Sequence, residues 1–132
     1  DAFRALGVTK IAVGSPYPDA VNDAEREYFE GQGLTVTADE GLMLFEAQER
    51  MRHMNLVREE DVEALAEKID SPEAEAVFLS CADLATLGVI DTLEKTLGKP
   101  VITSVQATFW GSLRAAGIED RIEGCGRLLA EH

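Results

Sequence analysis

The sequence predicts an α/β fold, a three-layer αβα domain built on a four-stranded parallel sheet. Three observations carry this expectation. Short apolar runs alternate four times with helical segments, which argues for a parallel sheet covered on both faces. Glycine and proline clusters punctuate the chain where these segments must stop. The 132 residues, 45% of them hydrophobic, suit one domain with a substantial core.

The elements follow in order. Asp1 to Gly7 reads as the last turns of a helix closed by a C-terminal glycine, and with no initiator Met the chain reads as a fragment that begins mid-element. Lys10-Ile11-Ala12-Val13-Gly14 is the first strand, ended by Ser15-Pro16-Tyr17-Pro18. Asp19 to Gly31 is helical, with Pro18 and Asp19 suited to its first turn and Ala20, Val21, Ala24, Tyr28 and Phe29 as its apolar stripe. Leu34 to Ala38 alternates β-branched residues and forms the second strand. In the charged segment 46–58 that follows, Glu46 to Arg52 reads either as a short helix or as a mobile flap. Glu59 to Ile69 is a helix presenting Val62, Leu65, Ala66 and Ile69 on one face. Glu75 to Ser80 is the third strand, Asp83 to Leu97 the next helix, and Val101 to Ser104 the fourth strand. A last helix covers about Ala107 to Ala116, with Phe109 and Trp110 packing it onto the sheet, and the rest is an irregular tail. Right-handed crossovers give a flavodoxin-like strand order 2-1-3-4.

Composition excludes several classes of function. A formal charge of −13 repels phosphate backbones, so nucleic acid is not an expected partner. No apolar run spans a bilayer and no signal peptide is evident, so no membrane partner is expected. Cys81 and Cys125 are too few and too separated for a disulfide framework, and His53 and His132 do not complete a zinc site with them. A reducing, cytoplasmic setting fits, with no metal and no cofactor expected. Neither G-x-x-x-x-G-K-[ST] nor a helix-opening G-x-G-x-x-G is present, which removes most nucleotide-binding readings. A receiver domain would need an acidic pocket after the first strand, where this chain has Ser15-Pro16-Tyr17.

The most informative junction is Ala76-Val77-Phe78-Leu79-Ser80-Cys81-Ala82-Asp83-Leu84, where a strand runs directly into the predicted helix. A thiol at the carboxyl end of a parallel strand lies where α/β folds place ligands. A helix N-terminus there can activate the thiol and bind an anion beside it. The alternative is a small buried core residue. The topology sends Ser15 and Tyr17, Ser80 and Cys81, and Ser104, Val105 and Gln106 to the same rim. This set of hydroxyls, phenol, amide and thiol suits binding of a small carboxylate and proton or thiolate chemistry.

Three ordered motifs carry a family resemblance. Phe78-Leu79-Ser80-Cys81-Ala82-Asp83-Leu84-Ala85-Thr86-Leu87 resembles the second-cysteine motif of the aspartate/glutamate racemase superfamily, in the branch of arylmalonate decarboxylase and maleate cis-trans isomerase. Ser15-Pro16-Tyr17-Pro18-Asp19-Ala20-Val21-Asn22 is similar to that family's tyrosine loop, and the segment from Gly98 to Trp110 to its strand and aromatic-bearing helix. Gly124-Cys125-Gly126-Arg127-Leu128-Leu129 resembles the branch's tail. The similarity covers nearly the whole chain, but only the second half of such an enzyme. It implies that residues 1–132 are a single α/β domain equivalent to the C-terminal half, with a missing N-terminal half-domain as partner.

The resemblance also implies roles. Cys81 is the acid/base or nucleophile of a cofactor-independent isomerase of the maleate isomerase or racemase type, acting on a small carboxylic acid. The alternatives are an arylmalonate-decarboxylase-like lyase and a non-catalytic module that binds a small ligand. Tyr17 donates its hydroxyl to a substrate oxygen, and the Ala82 N–H adds an oxyanion donor. Ser15 and Ser104 are rim donors, while Asn22 ties the tyrosine loop to its helix. Cys125, in the tail, does not replace the first-half cysteine. Asp83 departs from the family pattern. It either complements the helix dipole or faces the substrate, where it would repel a second carboxylate, with Arg50, Arg52 and His53 available to offset it. The isolated chain is expected to be inactive. Its oligomeric state is left open, a homo-oligomer included.

Overall fold

The computed structural model describes residues 1–42 and 57–132. Four strands, β1 (Lys10–Ser15), β2 (Thr35–Gly41), β3 (Ala76–Leu79) and β4 (Val101–Thr103), form one sheet in the order β2-β1-β3-β4. Every pairing is parallel. This is the predicted order. Among the described residues, six helices accompany them: α1 (Ala2–Ala5), α2 (Asp19–Gly31), α3 (Glu59–Ile69), α4 (Ile90–Leu97), α5 (Ser104–Ala115) and α6 (Arg127–Glu131).

Strand alternation divides the core into two layers. Ala12, Val77, Leu79 and Val101 face one side, against Val62, Leu65, Ala66 and Ile69 of α3 and Ile90 and Leu93 of α4. Ile11, Val13, Ala76, Phe78 and Ile102 face the other, against Ala2 of α1, Trp110 of α5, Leu128 and Leu129 of α6, and Phe29 of α2. The helices α2 and α3 keep the predicted boundaries because their apolar stripes recur at helical spacing. Gly7 closes α1 with a φ of 68°, a conformation that favours glycine.

Four expectations are corrected. β2 runs on through Gly41, pairing Val13 with Asp39 and Gly14 with Glu40. An edge strand tolerates those carboxylates because Arg26 binds Asp39 at 2.8 Å and Lys68 binds Glu40 at 2.7 Å. The helix expected from Asp83 begins only at Ile90. Leu84 and Thr86 are both buried though two residues apart, a spacing that no helix places on one face. α5 starts at Ser104, three residues early, because Thr103 and Gln106 form a capping box. Within α5, Trp110 is buried as expected, but Phe109 points to solvent.

The tail is more ordered than expected. Gln106 Nε2 donates to the Cys125 carbonyl at 2.6 Å, and Glu94 accepts from the N–H groups of Val101 and Arg127. These contacts clamp α6 across α4 and α5. Burial raises the Glu94 carboxyl above its ordinary range against those donors. The charged stretch 46–58, with Arg50, Arg52 and His53, falls almost entirely outside the described residues.

Three other carboxylates titrate in the opposite direction. Asp39 is held low by its hydrogen bond from Arg26, Glu75 by the N–H groups of Thr9 and Lys10, and Asp61 by the N–H of Arg58. A lowered folded-state pKa contributes stability that is present above the unfolded value and lost as the pH falls through the folded one. Thermal unfolding followed from about pH 7 to about pH 3 is therefore expected to show stability falling below about pH 4. Asp39→Asn flattens that acid limb; an unchanged limb would show that the Arg26 pair contributes nothing to it.

Candidate active site

Cys81 lies just beyond β3, immediately before a turn at Ala82 and Asp83, with only 5% of its surface exposed. It is the one non-glycine residue with a positive φ among those described, at 141°. Such a conformation costs about 1–3 kcal/mol and persists only where the surroundings over-determine it. Here the Ser80 N–H donates to the Gly14 carbonyl at 2.8 Å. The Cys81 N–H donates to Ser104 Oγ at 3.1 Å, and the Asp83 N–H points at Cys81 Sγ at 3.4 Å. A backbone N–H aimed at sulfur is the kind of donor that supports charge on a reacting atom.

The helix terminus beside the thiol is therefore not the one expected. α4 begins nine residues downstream of Cys81, whereas Ser104, the first residue of α5, is bonded to the Cys81 backbone. Asp83 consequently lies in a turn rather than a first helical turn, and its side chain is exposed. Ala82 is exposed as well, and its N–H makes no hydrogen bond among the described residues.

Tyr17 reaches the same rim from β1, half-buried against the cluster that contains Cys81, Leu79 and Leu84. Its loop is tightly held. Ser15 Oγ accepts the Tyr17 N–H at 3.0 Å and donates to Asn22 Oδ1 at 2.5 Å, while Asn22 Nδ2 reaches the Tyr17 carbonyl at 3.4 Å. Ser15 is fully buried, and its hydroxyl hydrogen is committed to Asn22. It shapes the tyrosine loop instead of donating at the rim. Gly41 closes over this loop so tightly that a Cβ would lie 2.0 Å from the Tyr17 carbonyl oxygen. Only glycine fits there.

Sequence reasoning missed Glu25 of α2, whose carboxylate accepts the hydroxyl of buried Ser80. Its signal was its place three residues after Asn22, which continues a polar face toward the rim. Cys125 packs in the other core layer, so the sheet separates it from Cys81. Among the described residues, no group of His, Cys, Asp and Glu could hold a metal ion, and no helix is long and apolar enough to cross a membrane.

Comparison with known proteins gives this rim a context. Residues 1–129 match the family described as arylmalonate decarboxylase. Arylmalonate decarboxylase of Bordetella bronchiseptica is 34% identical, over 99% of this chain and 54% of its own length. Maleate isomerase of Nocardia farcinica is 26% identical, over 99% of this chain and 51% of its own length. A crystal structure of arylmalonate decarboxylase superposes with a TM-score of 0.86 at 30% identity, covering 97% of this chain and 56% of that one. A cysteine-to-serine variant of Nocardia farcinica maleate cis-trans isomerase, with a covalently bound succinylcysteine intermediate, gives 0.89 at 25% identity, over 99% of this chain and 52% of that one. The chain spans about half the length of the curated relatives it matches. Its sheet order, its cysteine junction and its match over residues 1–129 agree: the chain belongs to the arylmalonate decarboxylase family.

Proposed function

We propose that this chain is the C-terminal half of a two-domain, cysteine-dependent isomerase of the maleate isomerase or racemase type, acting on a small carboxylic acid. The observation that supports it most is Cys81, held in a strained conformation at the end of a central parallel strand, with Tyr17 on the same rim. Cys81 acts as acid/base or nucleophile at the substrate carbon. Tyr17 and the Ala82 N–H stabilise negative charge on a substrate carboxylate or enediolate oxygen. Ser104 holds the Cys81 backbone through its oxygen and has a hydroxyl hydrogen to offer at the rim. Ser15 serves through Tyr17, by fixing its loop.

A decarboxylase-like reaction is the second reading. It is favoured by the 34% identity to Bordetella bronchiseptica arylmalonate decarboxylase and by Asp83, whose exposed carboxylate beside Cys81 disfavours a substrate that keeps two negative charges. In either reaction the opposing half-domain completes the cleft, and a cytoplasmic setting suits the two free thiols.

The half-cleft argument has a direct test. Residues 1–132 alone are expected to show no turnover of maleate or of an arylmalonate, and robust activity of the isolated chain would refute the need for a second half. Product analysis with the complete enzyme then separates the readings. Fumarate from maleate supports the isomerase, whereas carbon dioxide from an arylmalonate supports the lyase.

A further inference from the structure

One face of α2 touches both halves of the candidate site. Asn22 and Glu25 are three residues apart and so are neighbours on the helix surface. Asn22 holds the tyrosine loop through Ser15 Oγ and the Tyr17 carbonyl. Glu25 accepts the hydroxyl of Ser80, 55 residues along the chain and immediately before Cys81. Drawing a carboxylate in from solvent costs free energy that a neutral residue in its place would avoid. Ser80 itself is 5% exposed, so its hydroxyl needs an acceptor inside the protein.

The geometry at Cys81 gives this bond a purpose. Its backbone, at φ 141°, is held by β1 through the Ser80 N–H and by α5 through Ser104 Oγ. The Ser80–Glu25 bond supplies a third tether, from the helix that also carries Asn22. We propose that Glu25 is a positioning residue for the Cys81 reaction: through Ser80 it fixes the cysteine junction, while Asn22 on the same helix face fixes the tyrosine loop, so that α2 sets the placement of thiol relative to phenol. This inference rests on the function proposed above.

The test is a mutant cycle in the complete enzyme, with kcat expressed per folded molecule. Ser80→Ala and Glu25→Ala are each expected to lower kcat by about tenfold and to leave KM within about twofold, since a small displacement of reacting groups weakens the chemical step more than ground-state binding. Glu25→Gln keeps an acceptor oxygen for the Ser80 hydroxyl and restores most of kcat. The Ser80→Ala/Glu25→Ala double variant is expected to be no slower than Glu25→Ala alone, because the Ser80–Glu25 bond is already lost there. A general effect on stability changes the folded fraction and leaves this pattern absent. Should Glu25→Ala fail to fold, Ser80→Ala alone and combined with Glu25→Gln supplies the same comparison. Unchanged kcat in the single variants, or losses that multiply in the double, would overturn the proposal. Cys81→Ala serves as the control. Activity surviving in it rejects the proposed function, whereas activity lost in it but intact in Ser80→Ala and Glu25→Ala rejects only the role of Glu25.

Discussion

Cys81→Ala in the complete enzyme is expected to lower kcat by about 10²–10⁴-fold if the thiol moves a proton, and by more if it forms a covalent bond to the substrate. The alanine side chain fills nearly the same buried space, so the turn, the Ser104 contact and the packing around Leu79 and Leu84 survive. Only the sulfur and the Asp83 N–H aimed at it lose their function. Circular dichroism and unfolding of the variant should therefore match the parent, which assigns the kinetic loss to chemistry. Turnover within tenfold of the parent would remove Cys81 from the mechanism. Cys81→Ser separates the two roles: a hydroxyl is a poorer nucleophile and a poorer acid, and residual activity at high pH points to proton transfer.

Tyr17→Phe is expected to lower kcat by about 10²–10³-fold, the usual cost of deleting one donor to a developing oxyanion. The phenyl ring retains its packing against the Cys81 cluster, and the loop bonds from Ser15 and Asn22 involve only the Tyr17 backbone. Thermal unfolding of the variant, measured beside its kinetics, separates any structural share of the hydroxyl from its catalytic one. Because that hydroxyl is proposed to meet charge that grows in the transition state, KM should move less than kcat. A purely packing role for Tyr17 predicts wild-type kinetics from the phenylalanine variant, and that result would exclude it as an oxyanion donor.

The architecture was legible where local signals agree with tertiary demands. α2 and α3 have amphipathic stripes bounded by Pro18, Gly31 and Ser71, and the strand order followed from strand–helix alternation joined by right-handed crossovers in a flavodoxin-like arrangement. Legibility failed where packing overrides propensity. Leu84, Ala85, Thr86 and Leu87 favour a helix or tolerate one, yet burial of Leu84 and Thr86 forces the chain into turns before Ile90. α6 was missed because its five residues depend on long-range bonds from Asp91 and Glu94 to the backbone of Gly126 and Arg127. For the site, the strand ends were readable from topology, since parallel strands deliver their carboxyl ends to one rim. The division of labour there was not. Whether a serine faces a ligand or an asparagine depends on hydrogen bonds across seven or more residues, and Ser15 and Ser80 both turned inward. The strain at Cys81 likewise has no signature in residue type.

The placement of the two sulfurs on opposite sides of the β-sheet governs how this chain meets peroxide. Partners for disulfide formation need Cα atoms within about 7 Å, and a layer of strands stands between these two. A sulfenic acid formed at position 81 thus has no resolving thiol among residues 1–132, and continued oxidation carries it to the irreversible sulfinic state. Protection must come from outside, through small-molecule thiols or a cysteine contributed across the cleft.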